Sequence, residues 1–192
     1  MCNISPVEKV KEWLSEAEKL ESDANAMSVA SVDQEGVPSS RIVLLKAIDT
    51  GFVFYTNLES RKGREINMNP IVALCFHWKS TARQVRIEGK ADLVSAEEAD
   101  QYFRSRERES QIASWASAQS SSLKSREGLE DKVEKYRLKF EGKLVNRPEY
   151  WSGFRVIPHA IEFWDKKPCR LHDRVLCRLD AYGRWNCSLL NP

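Results

Sequence analysis

The sequence predicts a mainly β domain with helical additions, its strands antiparallel and closed toward a barrel. Three observations lead there. Apolar segments of strand length follow one another through turns such as Gln34-Glu35-Gly36 and Asp49-Thr50-Gly51, which are too short for a parallel crossover. Helical periodicity is confined to the start of the chain and one central stretch. The 192 residues, 42% hydrophobic and 30% charged, suffice for one core. The chain therefore reads as one domain over 1–192, with an N-terminal helix within 1–22, a helical insertion at 95–140 and closing strands in 154–192.

Residues 6–21 begin with Pro6 and carry Val7, Val10, Trp13, Leu14, Ala17 and Leu20 at helical spacing, before Asp23 to Asn25 break the pattern. Strands are expected over Ala26 to Val32, Ser40 to Ile48 and Phe52 to Asn57. Ser60 is a helix N-cap opening Arg61 to Met68, which Asn69-Pro70 stops. Ile71 to Trp78 and Arg83 to Val94 form a hairpin around Lys79-Ser80-Thr81. Ser95 with Glu98 makes a capping box for a helix to about Arg104, and Ser110 to Trp115 and Ser122 to Phe140 are helical as well. After the Arg147-Pro148 loop come strands at Phe154 to Val156 and Ala160 to Trp164, then Arg174 to Leu179 pairing with Arg184 to Leu190.

Several function classes are disfavoured. Thirty Lys and Arg against 28 Asp and Glu leave a formal charge of +2, and the aromatics do not interleave with a basic stripe, so neither nucleic acid nor an anionic membrane is an expected partner. Apolar runs such as Ile71 to Phe76 fall far short of the roughly 18 residues of a membrane span. The opening residues show no secretory pattern, so a cytoplasmic location is expected. Cys2, Cys75, Cys169, Cys177 and Cys187 are odd in number and lack CxxC spacing, which argues against a disulfide framework or zinc site. His77, His159 and His172 stand far apart, and no metal is expected. The common glycine-loop nucleotide motifs and the GxSxG elbow are absent.

The informative residues are cations in unusual places. In Arg41-Ile-Val-Leu-Leu-Lys46, alternation puts Lys46 with Ile42 and Leu44, and Arg41 with Val43 and Leu45. A strand apolar on both faces is expected to be buried, its terminal cations snorkelling to the rim or meeting anions. Ser60-Arg-Lys62 sets two cations in a first helical turn, where the macrodipole disfavours them but where free N–H groups and cations together cradle phosphate. Arg83-Gln-Val-Arg86 and Arg170-Leu-His-Asp-Arg174 add further clusters. Each alone is compatible with a solvated surface; together they point to phosphorylated small ligands.

These segments, in this order, resemble the pyridoxine/pyridoxamine 5'-phosphate oxidase family of FMN-binding split barrels. The resemblance rests also on Phe54-Tyr-Thr-Asn57, Phe76-His-Trp78, Tyr102-Phe-Arg-Ser-Arg106, Ser110-Gln-Ile112, Trp115, Gln119-Ser120, Tyr150-Trp-Ser-Gly-Phe-Arg155 and Ile161-Glu-Phe-Trp164, and runs from about Trp13 to the end. It implies a split β-barrel and an FMN enzyme oxidising pyridoxamine or pyridoxine 5'-phosphate to pyridoxal 5'-phosphate. Oxygen would become hydrogen peroxide, the amine would release ammonia, and FMN would lie at a homodimer interface. By matching position, Arg41, Ile42, Val43, Leu44, Leu45, Lys46, Tyr55 and Thr56 would line the flavin, and Arg61 and Lys62 would hold its phosphate. Gln84, Gln119, Ser120, Trp164 and Arg174 complete the cofactor set. Lys46, Tyr102, Arg106, Ser110, Arg170 and His172 form the substrate set, with Arg170 and His172 clamping the pyridine ring for catalysis from alternate positions of an extended segment.

The chain departs from the family in ending Leu189-Leu-Asn-Pro192 where Arg-Leu-x-Pro is usual, and an Arg-x-x-Tyr segment before the first helix is absent from its opening residues. Two other readings compete: a related split-barrel flavin oxidoreductase with another substrate, and a non-catalytic carrier of FMN or pyridoxal phosphate.

Overall fold

The structure, a computed structural model, describes residues 5–192; Cys2 lies outside them. Helix α1 spans Pro6–Glu18, followed by strands β1 (Ala26–Val32), β2 (Pro38–Leu44), β3 (Ala47–Ile48) and β4 (Phe52–Asn57), helix α2 (Arg61–Met68), and strands β5 (Ile71–Trp78) and β6 (Arg83–Leu93). The helical insertion is α3 (Ala96–Ser105), α4 (Arg108–Ala116) and α5 (Arg126–Lys139). Strand β7 (Trp151–Asp165), a 3-10 turn at Pro168–Arg170, β8 (Asp173–Leu179) and β9 (Trp185–Leu190) close the chain. All pairings are antiparallel in the order β2-β1-β5-β6-β7-β4-β3, with β8 on β7 and β9 on β8.

The barrel is split because one strand serves two neighbours. On one side β7 pairs β6 from Phe154 to Asp165, whereas on the other it pairs β4 through Trp151 to Val156 and β8 through Ala160 to Asp165. The handover falls at a register shift between Glu88 and Gly89, opposite Pro158, whose nitrogen has no hydrogen to donate. Backbones approach closely there: a Cβ on Gly89 would lie 2.5 Å from the Ile157 carbonyl oxygen. The two short strands expected at 154–156 and 160–164 are thus halves of one 15-residue strand.

The core gathers α1, through Val10, Leu14 and Ala17, against Phe52, Phe54, Phe76, Trp78, Phe154 and Phe163. Trp13 meets Phe163 edge-on at 5.2 Å, and the Trp78 indole N–H donates to the Ala24 carbonyl at 2.7 Å, tying the α1–β1 connection to the sheet. A second cluster of Phe103, Ile112, Phe140, Val145 and Trp151 fixes the helical insertion to β7. The expected start of the last helix at Ser122 moves to Arg126, where the Ser125 hydroxyl accepts from the Gly128 amide.

Two expectations are corrected. β2 is not buried on both faces; it is a sheet-edge strand with Ile42 66% and Leu44 45% exposed, and the strand ends at Leu44 because Leu45 turns into the core. Cys177 and Cys187 form a disulfide, because the β8–β9 register sets them directly opposite one another, something linear spacing does not reveal.

Candidate functional site

A cavity of about 1020 Å³ opens between the exposed side of β2, the end of β4, the N-terminus of α2 and the α3–α4 junction. Its walls carry five cations, Arg41, Lys46, Arg61, Lys62 and Arg106, against one carboxylate, Glu107. Such an imbalance in a concave site selects an anionic ligand.

One end of the cavity is built by α2. The Ser60 hydroxyl accepts from the Gly63 amide at 3.2 Å, starting the helix, while the amides of Arg61 and Lys62 have no intrahelical acceptor by geometry. Gly63 lets the helix start press against the preceding loop: a Cβ there would meet the Leu58 carbonyl oxygen at 2.3 Å. Lys62 is drawn inward until it is 8% exposed, and its ammonium donates to Thr56 Oγ1 at 2.9 Å and Gln119 Oε1 at 2.8 Å. These acceptors are neutral, and no carboxylate among the described residues pairs with it. Burial, aided by the charge of Arg41, lowers its pKa to about 8. A buried cation without an anion, beside free helix-start amides, is a fitting seat for a phosphate.

The other end is built by the insertion. Tyr102 on α3 stacks on Tyr55 at 4.0 Å, and Tyr55 stacks on Trp151 at 5.4 Å. Gly153 lies opposite Tyr55 across β4–β7, where a Cβ would fall 2.7 Å from the ring. Burial, with help from Glu98, raises the Tyr55 pKa to about 12, so its hydroxyl stays protonated and donates to Glu98 at 3.4 Å. Arg106 caps α3, lies over the Trp151 ring at 4.8 Å and donates to Ser114 Oγ at 2.7 Å. Lys46 and Ser110 line the same cavity and add further donors to it. Tyr102, Arg106 and Ser110 are therefore brought together across a helix–turn–helix junction, as their spacing suggested.

The residues expected at the flavin divide into two sets. Arg41, Ile42, Val43, Leu44, Lys46, Tyr55, Thr56, Arg61, Lys62, Gln119 and Ser120 line this cavity. Leu45 does not; it is 5% exposed and packs in the core. Gln84, Trp164 and Arg174 are successive register partners across β6, β7 and β8, and none lines the cavity. His172 joins them, its ring 4.6 Å from that of Trp164, and its Nδ1 accepts from the Lys167 amide at 3.2 Å, which leaves the proton of a neutral ring on Nε2. Arg174 is braced by Glu162 at 2.8 Å and by the Asn191 carbonyl at 3.0 Å.

Arg170 is not on the expected extended segment. It ends the 3-10 turn with φ 60°, after Cys169 at φ 55°, so strict alternation with His172 does not apply. Two consecutive left-handed residues beside a site are a strained arrangement that the surrounding turn holds in place. Sequence reasoning missed Trp151 and Ser114, which line the cavity, and Glu65, whose carboxylate accepts from Arg61 Nε at 2.7 Å behind it. The spacing of Ser114 from Ser110, and of Glu65 from Arg61, is one helical turn in each case and was the available signal.

Comparison with known proteins agrees with this geometry. Residues 8–140 match the family described as pyridoxamine 5'-phosphate oxidase, and residues 151–192 match the pyridoxine 5'-phosphate oxidase C-terminal dimerisation region. A pyridoxine/pyridoxamine 5'-phosphate oxidase of Rhodospirillum rubrum is 52% identical over 188 residues, covering 94% of this chain and 93% of the relative. One from Gluconobacter oxydans is 53% identical over 182 residues, covering 94% and 90%. Among solved structures, PhzG of Burkholderia lata, in complex with tetrahydrophenazine-1-carboxylic acid, superposes with TM-score 0.92 at 30% identity, covering 98% of this chain and 93% of that one. A pyridoxamine 5'-phosphate oxidase-related FMN-binding protein of Nostoc punctiforme, 15% identical, shares the fold with TM-score 0.77 over the whole of both chains.

Proposed function

The chain belongs to the pyridoxine/pyridoxamine 5'-phosphate oxidase family, and from that premise we propose that it oxidises pyridoxine or pyridoxamine 5'-phosphate to pyridoxal 5'-phosphate with FMN and oxygen. The observation that carries this reading is the cavity's five cations against one lining carboxylate, of which Arg61 with Lys62 would serve one phosphate and Lys46 with Arg106 the other. FMN, when bound, supplies the two-electron acceptor that oxygen reoxidises, yielding hydrogen peroxide.

The protein's own part is binding and orientation. Lys62, Arg61 and the α2 amides would hold the FMN phosphate, and the exposed Ile42 and Leu44 on β2 would give the ring an apolar bed. Arg106, Lys46, Tyr102 and Ser110 would bind the substrate phosphate and so fix the position of its pyridine ring. Arg170 and His172 would hold that ring with its C4' carbon toward the flavin. In one chain neither lines the cavity, and His172 stands against Trp164.

The matched dimerisation region begins at residue 151 and includes Trp164, Arg170, His172 and Arg174, while Gln84 is the β6 register partner of Trp164. A second copy of the chain would supply these residues to the first copy's cavity, which makes a homodimer with FMN at the interface the complete catalytic unit. A carrier would need neither set of ring-orienting residues. Oxygen uptake with pyridoxine 5'-phosphate, together with sedimentation at twice the chain mass, is the expected result. A flavin-loaded protein that consumes no oxygen with either phosphorylated substrate would refute the oxidase reading.

A further inference from the structure

Behind the wall of the cavity, outside its lining, lies a buried carboxylate. Glu65 is 3% exposed and sits on α2 one turn after Arg61. Its Oε1 accepts from Arg61 Nε at 2.7 Å, and its Oε2 accepts from the hydroxyls of Ser31 at 2.5 Å and Ser39 at 2.6 Å and from Arg41 Nη2 at 3.4 Å. Ser31 and Ser39 face each other across β1–β2, and Arg41 also donates to Ser31 Oγ at 2.6 Å, to the Val29 carbonyl at 3.3 Å and to the Ser39 hydroxyl. One carboxylate thus ties two strands and a helix to a single point. Burial pushes its pKa up, but the donors Ser31, Ser39 and Arg61 outweigh burial and hold it at about 2, so it is ionised under ordinary conditions.

We propose that Glu65 is a positioning residue for the FMN phosphate: it fixes the guanidinium groups of Arg41 and Arg61 and cancels one of the three charges they share with Lys62. Two positive charges then remain for a phosphate monoester, which carries nearly two negative ones at neutral pH. This inference rests on the FMN reading above.

Two physical effects oppose each other here, and the sign of the outcome separates them. By Coulomb's law alone, an anion behind the cradle repels phosphate, so Glu65→Gln would tighten FMN binding. If positioning dominates, the same change weakens it. The Gln amide must turn an NH2 group toward one guanidinium, where donor faces donor, and the arginine on that side is released.

The experiment is a titration of flavin-free wild-type and Glu65→Gln protein with FMN and with riboflavin, which lacks the phosphate, followed by flavin fluorescence. Expected is a loss of FMN affinity of about tenfold to a hundredfold, the range of one charge-assisted hydrogen bond, with riboflavin affinity unchanged. At saturating FMN the variant's turnover should approach wild type. Ser39→Ala, which removes one of the carboxylate's donors, should shift the FMN-to-riboflavin affinity ratio in the same direction by a smaller factor, and it serves if Glu65→Gln does not fold. Tighter or unchanged FMN binding overturns the proposal, as does equal loss of both flavins, which marks a merely structural role. A wild-type protein that binds neither flavin would overturn the FMN reading itself, and this inference with it.

Discussion

Replacing Lys62 with Met should make the free protein more stable and its cofactor site worse. Lys62 is held charged in a nearly closed position without an anion, and its pKa falls from 10.5 to about 8. That difference corresponds to about 3 kcal/mol against folding at neutral pH. Met fills similar space without the charge. The change forfeits the bonds to Thr56 and Gln119, but Thr56 Oγ1 already lies 3.3 Å from Gln119 Oε1 and can donate to it, so the loss is about 1 kcal/mol. The net is a gain of about 2 kcal/mol, a rise in Tm of roughly 5 °C for a chain of this length.

FMN affinity should move the other way, falling about 100-fold as one charge-assisted bond to the phosphate is lost. The pH dependence carries the same signature. Between about pH 8 and pH 10.5 the unfolded chain still binds the Lys62 proton while the folded free protein has released it, so wild-type stability from this group rises with pH across that window. Phosphate favours the charged form, so FMN binding should weaken as pH rises above about 8. Thermal unfolding of flavin-free protein and fluorescence titration from pH 7 to 10 measure both. A Lys62→Met protein that is less stable than wild type and binds FMN as tightly would refute the reasoning, because Lys62 would then be a structural cation.

Two further substitutions test other parts of the site. Arg170→Leu should cut turnover far more than FMN retention, since Arg170 is assigned to the substrate ring; equal losses in steady-state rate and in flavin content would remove that division of roles. Gly63→Ala should destabilise the fold by about 2 kcal/mol or more and lower FMN affinity with it, because the added Cβ would lie 2.3 Å from a backbone oxygen that only movement of α2 can relieve; an unchanged denaturant midpoint would show that the close approach is not maintained in solution.

Much of this site can be read from local sequence because its devices are local. The N-cap Ser60 with Arg61 and Lys62 is a short-range motif, and the structure builds it at α2 as written. Tyr102, Arg106 and Ser110 are spaced so that a helix–turn–helix junction can gather them, and it does. Where the reading failed, long-range pairing was decisive. For Arg41 the sequence leaves open a rim position or an anion, and the partners that turn it inward, Ser31 and Glu65, come from β1 and α2. The disulfide required the β8–β9 register, and Arg170 required a 3-10 turn that alternation in a strand cannot anticipate.

By itself, the sequence determined the antiparallel β class, nearly every element, the family, and the clusters of cations that the cavity gathers. Periodicity, caps, turn residues and short motifs act over a few positions and survive in the linear order. Only the tertiary structure decided that β7 is one strand shared between two neighbours, that Leu45 belongs to the core, and that Lys62 is a buried cation paired with no carboxylate among the described residues. It also showed that the residues expected at the flavin fall into two sets, one on the cavity and one across β6, β7 and β8. Burial and charge pairing depend on which distant segments meet, and those distances exist only once the sheet has formed.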